Sequence, residues 1–196
     1  MSTRIVRKGS STVLFRAGHT VDVLKGLPEA YAHCVVTSPP YWGLRDYGLP
    51  PATWADGWVG CLGLEPTPEQ YTEHLCEVFD GVARVLRPDG TLWLNLGDSY
   101  AKKSLVGIPW MVTFALRSRG WYLRAALPWI KRNAMPQSVR DRPSTGTEQV
   151  FLLAHPDSKG RYFYDLEATK TPCSTNPISS ARRQRQDKGA VGTIAL

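Results

Sequence analysis

The densest chemistry in this 196-residue sequence sits in five consecutive residues, Thr37-Ser38-Pro39-Pro40-Tyr41. Two adjacent prolines fix φ and stiffen the backbone between them. A stiff corner can aim carbonyl oxygens, together with the Ser38 hydroxyl, at a hydrogen-bond donor without reorganising during a reaction. Tyr41 adds a flat ring. The group that such a corner suits is the exocyclic amine of a nucleobase. The nitrogen lone pair of that amine is delocalised into the ring, so it is a poor nucleophile. It must be held by its protons and aligned with an already activated donor, after which positioning supplies most of the acceleration. A base reaches such a site only by leaving the duplex, and an aromatic plate offsets part of that cost. A Ser-Pro-Pro-Tyr run also suits a plain tight turn between a strand and a loop. Its surroundings favour chemistry: apolar Cys34-Val35-Val36 precedes it, and a stretch rich in Gly, Pro and Trp, from Gly43 to about Pro66, follows. Loops of that length are uncommon unless functional or disordered.

The elements that must position this corner follow from periodicity. Thr12–Phe15 reads as a short buried strand, followed by a turn at Gly18 and a helical stretch through Val21, Val23, Leu24 and Leu27 that Pro28 stops. Cys34–Val36 is the strand that leads into the corner, and it must end at the prolines, which cannot donate to a ladder. Thr67 caps the clearest helix, with Pro68 in its first turn and Gln70 in capping-box position. Tyr71, Leu75, Val78, Phe79, Val82, Val85 and Leu86 then recur at helical spacing. Pro88-Asp89-Gly90 reads as a turn, and Thr91–Leu96 as a buried strand ended by Gly97-Asp98-Ser99. A helix over Pro109–Arg119 and strands over Tyr122–Ile130, Gln149–Ala154 and Arg161–Tyr164 complete the pattern, the last two as a hairpin. Alternating strands and helices predict an α/β fold with a mixed, mostly parallel sheet and helices on both faces. Ligands bind beyond the carboxyl ends of strands in such folds. The expected organisation is one domain over residues 1–168 and a basic polar tail over 169–196.

Bulk properties narrow the classes. The formal net charge is +7, which suits a polyanionic partner. Cys34, Cys61, Cys76 and Cys173 form no C-x-x-C pair and no zinc pattern with the histidines, so no metal is expected and the thiols read as reduced in a cytoplasmic protein. No secretory leader is read at the amino terminus. No apolar run approaches the roughly 18 residues of a membrane helix.

Three blocks together resemble one family. TSPPYWGLRDYG (37–48), RPDGTLWLNLGDSY (87–100) and GWYLRAALPWIKRNAMPQSVRDRPSTGTEQVFLLAH (120–155) resemble, in order, blocks of the DNA amino-methyltransferases that modify cytosine N4 or adenine N6. The resemblance implies a Rossmann-like methyltransferase fold, S-adenosyl-L-methionine as cofactor and DNA as partner, in a restriction-modification setting. It makes Ser38, Pro39, Pro40, Tyr41 and Asn95 the catalytic set. Ser at the first corner position is commoner in cytosine-N4 enzymes, so cytosine N4 is the expected target, with adenine N6 the alternative. A reading of another class is an inactive DNA-binding remnant or one subunit of a split enzyme. Gly18, His19, Thr37 and Asp98 are the expected cofactor contacts; Asp98 equally suits a turn cap. Trp42, Arg45, Lys131, Arg132, Arg140 and Arg142 are the expected DNA contacts, the basic ones gripping phosphates. Two departures from the family stand out. His19 occupies a position where the family has Asp, and the family's F-x-G-x-G cofactor segment is absent, which implies a second polypeptide or a further segment that supplies it.

Overall fold

A computed structural model describes residues 2–170. It divides into two compact units, Met1–Phe163 and Tyr164–Leu196. The second contains one described element, α4 (Leu166–Thr169), whose first turn is capped by Asp165 accepting from the Ala168 N–H. The tail expected beyond residue 168, with Cys173, lies almost wholly outside the described residues.

The first unit is built on a mixed four-stranded sheet in the order β3 (Ala32–Thr37), β6 (Leu86–Leu96), β10 (Thr147–Ala154), β9 (Tyr122–Ile130). The first pairing is parallel and the other two antiparallel. The α/β class and mixed sheet are as expected, while the β9–β10 hairpin tips the pairing balance away from parallel. β6 runs straight through Pro88-Asp89-Gly90, where a turn was expected. That stretch is absorbed as an irregularity: pairing jumps from Ala32–Leu86 to Cys34–Thr91. Pro88, with no N–H to give, falls where the ladder is interrupted.

Helix α2 (Pro68–Val85) starts as the sequence predicts, with the Thr67 hydroxyl accepting from the Gln70 N–H at 3.2 Å. The Gln70 side chain does not close a capping box; it reaches Asp56 instead. Tyr71, Leu75, Phe79 and Val82 from α2 meet Ile108, Val112 and Leu116 from α3 (Ile108–Ser118) over Leu92, Leu94, Leu96, Phe151 and Leu153 of the sheet. Helix α1 (Thr20–Lys25) packs beside α2. Burying each such side chain stabilises by roughly 1.5–3 kcal/mol. The opposite face of the sheet carries Cys34, Val36, Trp93, Asn95, Trp129 and Val150 around an open hollow of about 320 Å³. Val36 is 79% exposed and Trp129 61%.

Two sequence expectations fail elsewhere. The strand at Thr12–Phe15 forms, as β2 (Ser11–Ala17), but is not buried: it pairs only with β1 (Ser2–Lys8), and Val13, Leu14 and Phe15 are exposed. An isolated hairpin of this kind has no layer to bury its apolar side chains against. Arg161–Tyr164 is not a strand; a short 3-10 turn at Pro156–Ser158 ends the sheet instead. The segment after the corner holds one small ladder, β4 (Ala52–Thr53) with β5 (Val59–Gly60), and a second, β7 (Tyr100–Ala101) with β8 (Ser104–Leu105), follows β6.

Candidate active site

The diproline corner leaves the carboxyl end of β3 and is held from two sides. The Tyr71 hydroxyl of α2 donates to the Pro40 carbonyl at 2.8 Å. The Ser99 hydroxyl donates to the Trp42 carbonyl at 2.6 Å. The corner is therefore stiffened by α2 and by the turn after β6, as well as by its prolines. The Pro40 carbonyl is consequently engaged by Tyr71, which corrects the expectation that the corner's carbonyls as a group face a ligand. Beside it opens a cavity of about 270 Å³ lined by Ser38, Pro39, Tyr41, Leu44, Arg45, Tyr47 and Glu148.

Tyr41 is the hub. Its hydroxyl donates to Glu148 Oε2 at 2.9 Å and accepts from Asn95 Nδ2 at 2.9 Å and from the Ser38 hydroxyl at 3.1 Å. Asn95 Nδ2 also donates to Glu148 Oε2 at 2.8 Å, and Lys131 Nζ pairs with Glu148 Oε1 at 2.5 Å. Burial, reinforced by the negative Glu148, pushes the Tyr41 hydroxyl pKa up to about 12 despite the Ser38 hydrogen bond, which pulls the other way. Burial works against the Glu148 charge, but bonds from Lys131, Asn95 and Tyr41 outweigh it and hold that carboxyl below the ordinary glutamate range. Asn95 Oδ1 is buried with no partner among the described residues. Gly97 makes this packing possible: a Cβ there would lie 2.6 Å from the Tyr41 ring.

The segment between the corner and α2 is clasped at its base. His74 of α2 is stacked between Trp54 and Trp58, with ring centroids at 4.3 and 5.3 Å. Its Nδ1 bonds to Glu65 Oε1 at 2.9 Å, while Nε2 lies 3.3 Å from Asp56 Oδ2 in poor alignment for a hydrogen bond. Glu65 in turn accepts from the Gly63 N–H and, through its carbonyl, from the Trp42 indole at 2.9 Å.

Ser38, Pro39, Tyr41 and Arg45 of the expected set converge on the cavity, and Asn95 joins them through Tyr41. Trp42 is half-buried, packed on the core and bonded to Glu65, so it props the segment. Lys131 reaches Glu148 with its side chain still partly exposed. Arg132 and Arg140 are on the loop between β9 and β10, Arg132 exposed and Arg140 exposed. Arg142 lies over the Tyr100 ring at 3.7 Å and donates to Gln137 and to the Pro143 carbonyl. Sequence reasoning missed Glu148. A carboxylate at the start of a strand, flanked by Thr147 and Gln149, looks like a solvated residue until the pairing with β6 places it beside Asn95.

The expected methyl-donor residues do not converge. The Asp98 carboxylate accepts from the N–H groups of Ser99, Gly107 and Ile108, so it caps α3, where Gly107 adopts φ +86. Gly18-His19 stands at the start of α1, with His19 edge-on to Trp54 at 5.1 Å. Thr37 lines the hollow on the open sheet face. Neither the corner cavity nor the sheet-face hollow brings these four residues together.

An α/β sheet with an acceptor-rich corner beyond the carboxyl end of a strand defines a class of ligand-handling domain. The profile of the N6/N4 methyltransferases, described as DNA methylase, matches residues 32–194, and the chain belongs to that family. It is 38% identical over 207 residues to the Type II methyltransferase M.XycI of Xanthomonas campestris pv. cyanopsidis, covering 91% of this chain and 64% of that protein. It is 39% identical over 197 residues to M.SmaI of Serratia marcescens, covering 85% and 63%. The chain thus spans somewhat under two thirds of the length of these relatives. The PvuII DNA methyltransferase (cytosine-N4-specific) shares the fold with a TM-score of 0.60 at 18% identity, over 87% of this chain and 61% of that one. A Thermus thermophilus protein solved in complex with S-adenosyl-L-methionine aligns at 25% identity with a TM-score of 0.54, over 79% and 58%.

Proposed function

We propose that this chain carries the base-handling half of a DNA methyltransferase that moves a methyl group from S-adenosyl-L-methionine to the N4 amine of an extruded cytosine. The proposed setting is the cytoplasm of a bacterial or phage-infected cell, in a restriction-modification system. The observation that carries the reading is the cavity at the diproline corner. It holds about 270 Å³, below the roughly 300–1,000 Å³ of pockets for drug-sized ligands and suited to a single base. Ser38 of the corner offers the cavity an acceptor, and Tyr41 and Tyr47 offer rings. The relatives named above are Type II methyltransferases, which supports DNA methylation, and the name of the cytosine-N4-specific PvuII enzyme supports cytosine N4 as the target. Among the described residues no helix is long and apolar enough to cross a membrane.

In the proposed mechanism the chain's residues hold and orient. Ser38 accepts an amine proton, Asn95 holds Tyr41 in place, the corner keeps the nitrogen from turning, and Leu44 and Tyr47 shield it from water. The donor supplies an activated methyl group. Arg132 and Arg140, exposed on the β9–β10 loop, position the duplex through its phosphates. DNA from cells that express the protein together with any segment it pairs with, digested to nucleosides and resolved by mass spectrometry, contains N4-methylcytosine on this reading. A product made only of N6-methyladenine rules cytosine out, and unmodified DNA rules out the enzyme.

A further inference from the structure

Glu148 takes no direct part in holding the amine, yet three separate elements direct donors at it. We infer that Glu148 is a positioning residue that sets the polarity of the corner: it draws the Tyr41 and Asn95 protons inward, so that Ser38, whose own proton goes to Tyr41, meets the incoming base as an acceptor. The inference rests on the reading that an extruded base enters this site.

The accounting is complete for each group. An amide nitrogen has two protons, and those of Asn95 go to Glu148 Oε2 and to the Tyr41 hydroxyl. Tyr41 has one proton, spent on Glu148, and its two lone pairs are taken by Asn95 and Ser38. The Ser38 proton is spent on Tyr41. What remains unspent is the Asn95 carbonyl oxygen, buried and unpartnered, and the outer lone pairs of Ser38 at the cavity. Buried acceptors are rarely left without a partner, so this one calls for a donor from outside the chain. Turning the Asn95 amide over would set its oxygen against the Glu148 carboxylate, so the carboxylate locks the amide with its NH2 toward Glu148 and Tyr41. Lys131 on the far oxygen keeps Glu148 ionised in its half-buried place. A base that presents an NH2 to the cavity meets the Ser38 oxygen as an acceptor. A base that presents a carbonyl oxygen there meets the same Ser38 acceptor and is repelled, and rejection by an unmatched polar group is steeper than rejection by shape.

Paired single strands test this without any methyl donor. Oligo-dC and oligo-dU of equal length differ at this edge in NH2 against carbonyl, while their phosphate attraction is shared. Fluorescence anisotropy with the full chain is expected to show dC bound about tenfold more tightly than dU, the order of one lost hydrogen bond at a buried partner. Glu148→Gln brings its own NH2 to the node and is expected to drive the ratio to about one in a chain that still folds, an outcome that a merely structural role for Glu148 does not give. Glu148→Asp is expected to restore part of the preference. Should Glu148→Gln fail to fold, Tyr41→Phe, which deletes the oxygen that takes the Ser38 proton, is expected to lose the preference as well. A wild-type chain indifferent to dC and dU, or a folded variant that keeps the tenfold ratio, overturns the assignment even if DNA is methylated. Unmethylated DNA together with a ratio that Glu148→Gln abolishes overturns the catalytic reading and supports the polarity assignment. If the product is N6-methyladenine, oligo-dA against oligo-dI poses the same NH2-versus-carbonyl contrast with the same two outcomes.

Discussion

The two faces of the four-stranded sheet are made from alternate residues of the same strands, and they serve opposite ends. On one face Leu92, Leu94 and Leu96 of β6 and Phe151 and Leu153 of β10 expose nothing and meet α2 and α3. On the other, Trp93 and Asn95 of β6 and Glu148 and Val150 of β10 surround an open hollow and the hub of the site. A strand with period two can therefore commit one side to stability and free the other for chemistry. The open face can hold an unpartnered oxygen and a half-buried carboxylate because the closed face already supplies the cohesion.

The sharpest way to separate the faces is to cut neighbouring residues. Phe151→Ala, on the closed face, is expected to cost about 3–5 kcal/mol in urea unfolding, the range for emptying a well-packed aromatic site. Asn95→Ala, at the position in β6 that pairs with Val150, is expected to lower stability by well under half of that and to remove methyl transfer. Equal destabilisation would erase the distinction between the faces. Next in size comes Gly97→Ala. A Cβ there collides with the Tyr41 ring, so the expected outcome is a loss of turnover of order 100-fold with near-normal DNA binding, since a small misplacement of a catalytic constellation costs about that much. Normal turnover would show that Tyr41 need not stand where the structure holds it.

A smaller effect is set by pH. The folded Tyr41 hydroxyl titrates at about 12 against an ordinary 10.0, so between those values the folded chain keeps a proton that the unfolded chain has lost. Stability tied to Tyr41 is thus fully present below pH 10 and lost as pH rises through 12. Absorbance titration of tyrosinate is expected to show a late group that Tyr41→Phe removes, along with a shallower alkaline decline in stability. Glu148 acts in the opposite sense: its folded pKa is lowered, so its contribution is present above the ordinary carboxylate range and fades as acid protonates it. The smallest effect expected is on the exposed loop. Arg132→Ala with Arg140→Ala should weaken binding to every DNA sequence and reduce the salt slope by about 2, roughly 0.9 for each phosphate contact released. An unchanged slope would place the phosphate grip elsewhere.

Much of the frame was legible because local rules dominate there. The Thr67 cap, the β9 boundaries at Tyr122 and Ile130, and the strand that runs into Ser38 follow from capping, periodicity and proline chemistry. What stayed hidden depends on pairing across the chain. Glu148 acquires meaning only when β10 pairs antiparallel with β6 and brings it beside Asn95. Pro40 offers a free carbonyl until α2 places the Tyr71 hydroxyl on it. Trp42, in a Gly-rich stretch beside a candidate site, looks outward until Glu65 captures its indole. β2 has the pattern of a core strand, and no propensity tells whether another layer will lie on it. Pro88-Asp89-Gly90 has turn chemistry that β6 overrides by extended pairing on both sides.

The aromatic clasp on His74 has a consequence for how such proteins diversify. It anchors residues 54–65 to α2, so the exposed stretch at Leu44, Arg45 and Tyr47 hangs from a fixed root. Substitutions or insertions there alter the mouth of the cavity without loosening the frame that carries Ser38 and Tyr41. A lineage can therefore try new rims around one unaltered chemical centre, and the fold is not put at risk by each trial.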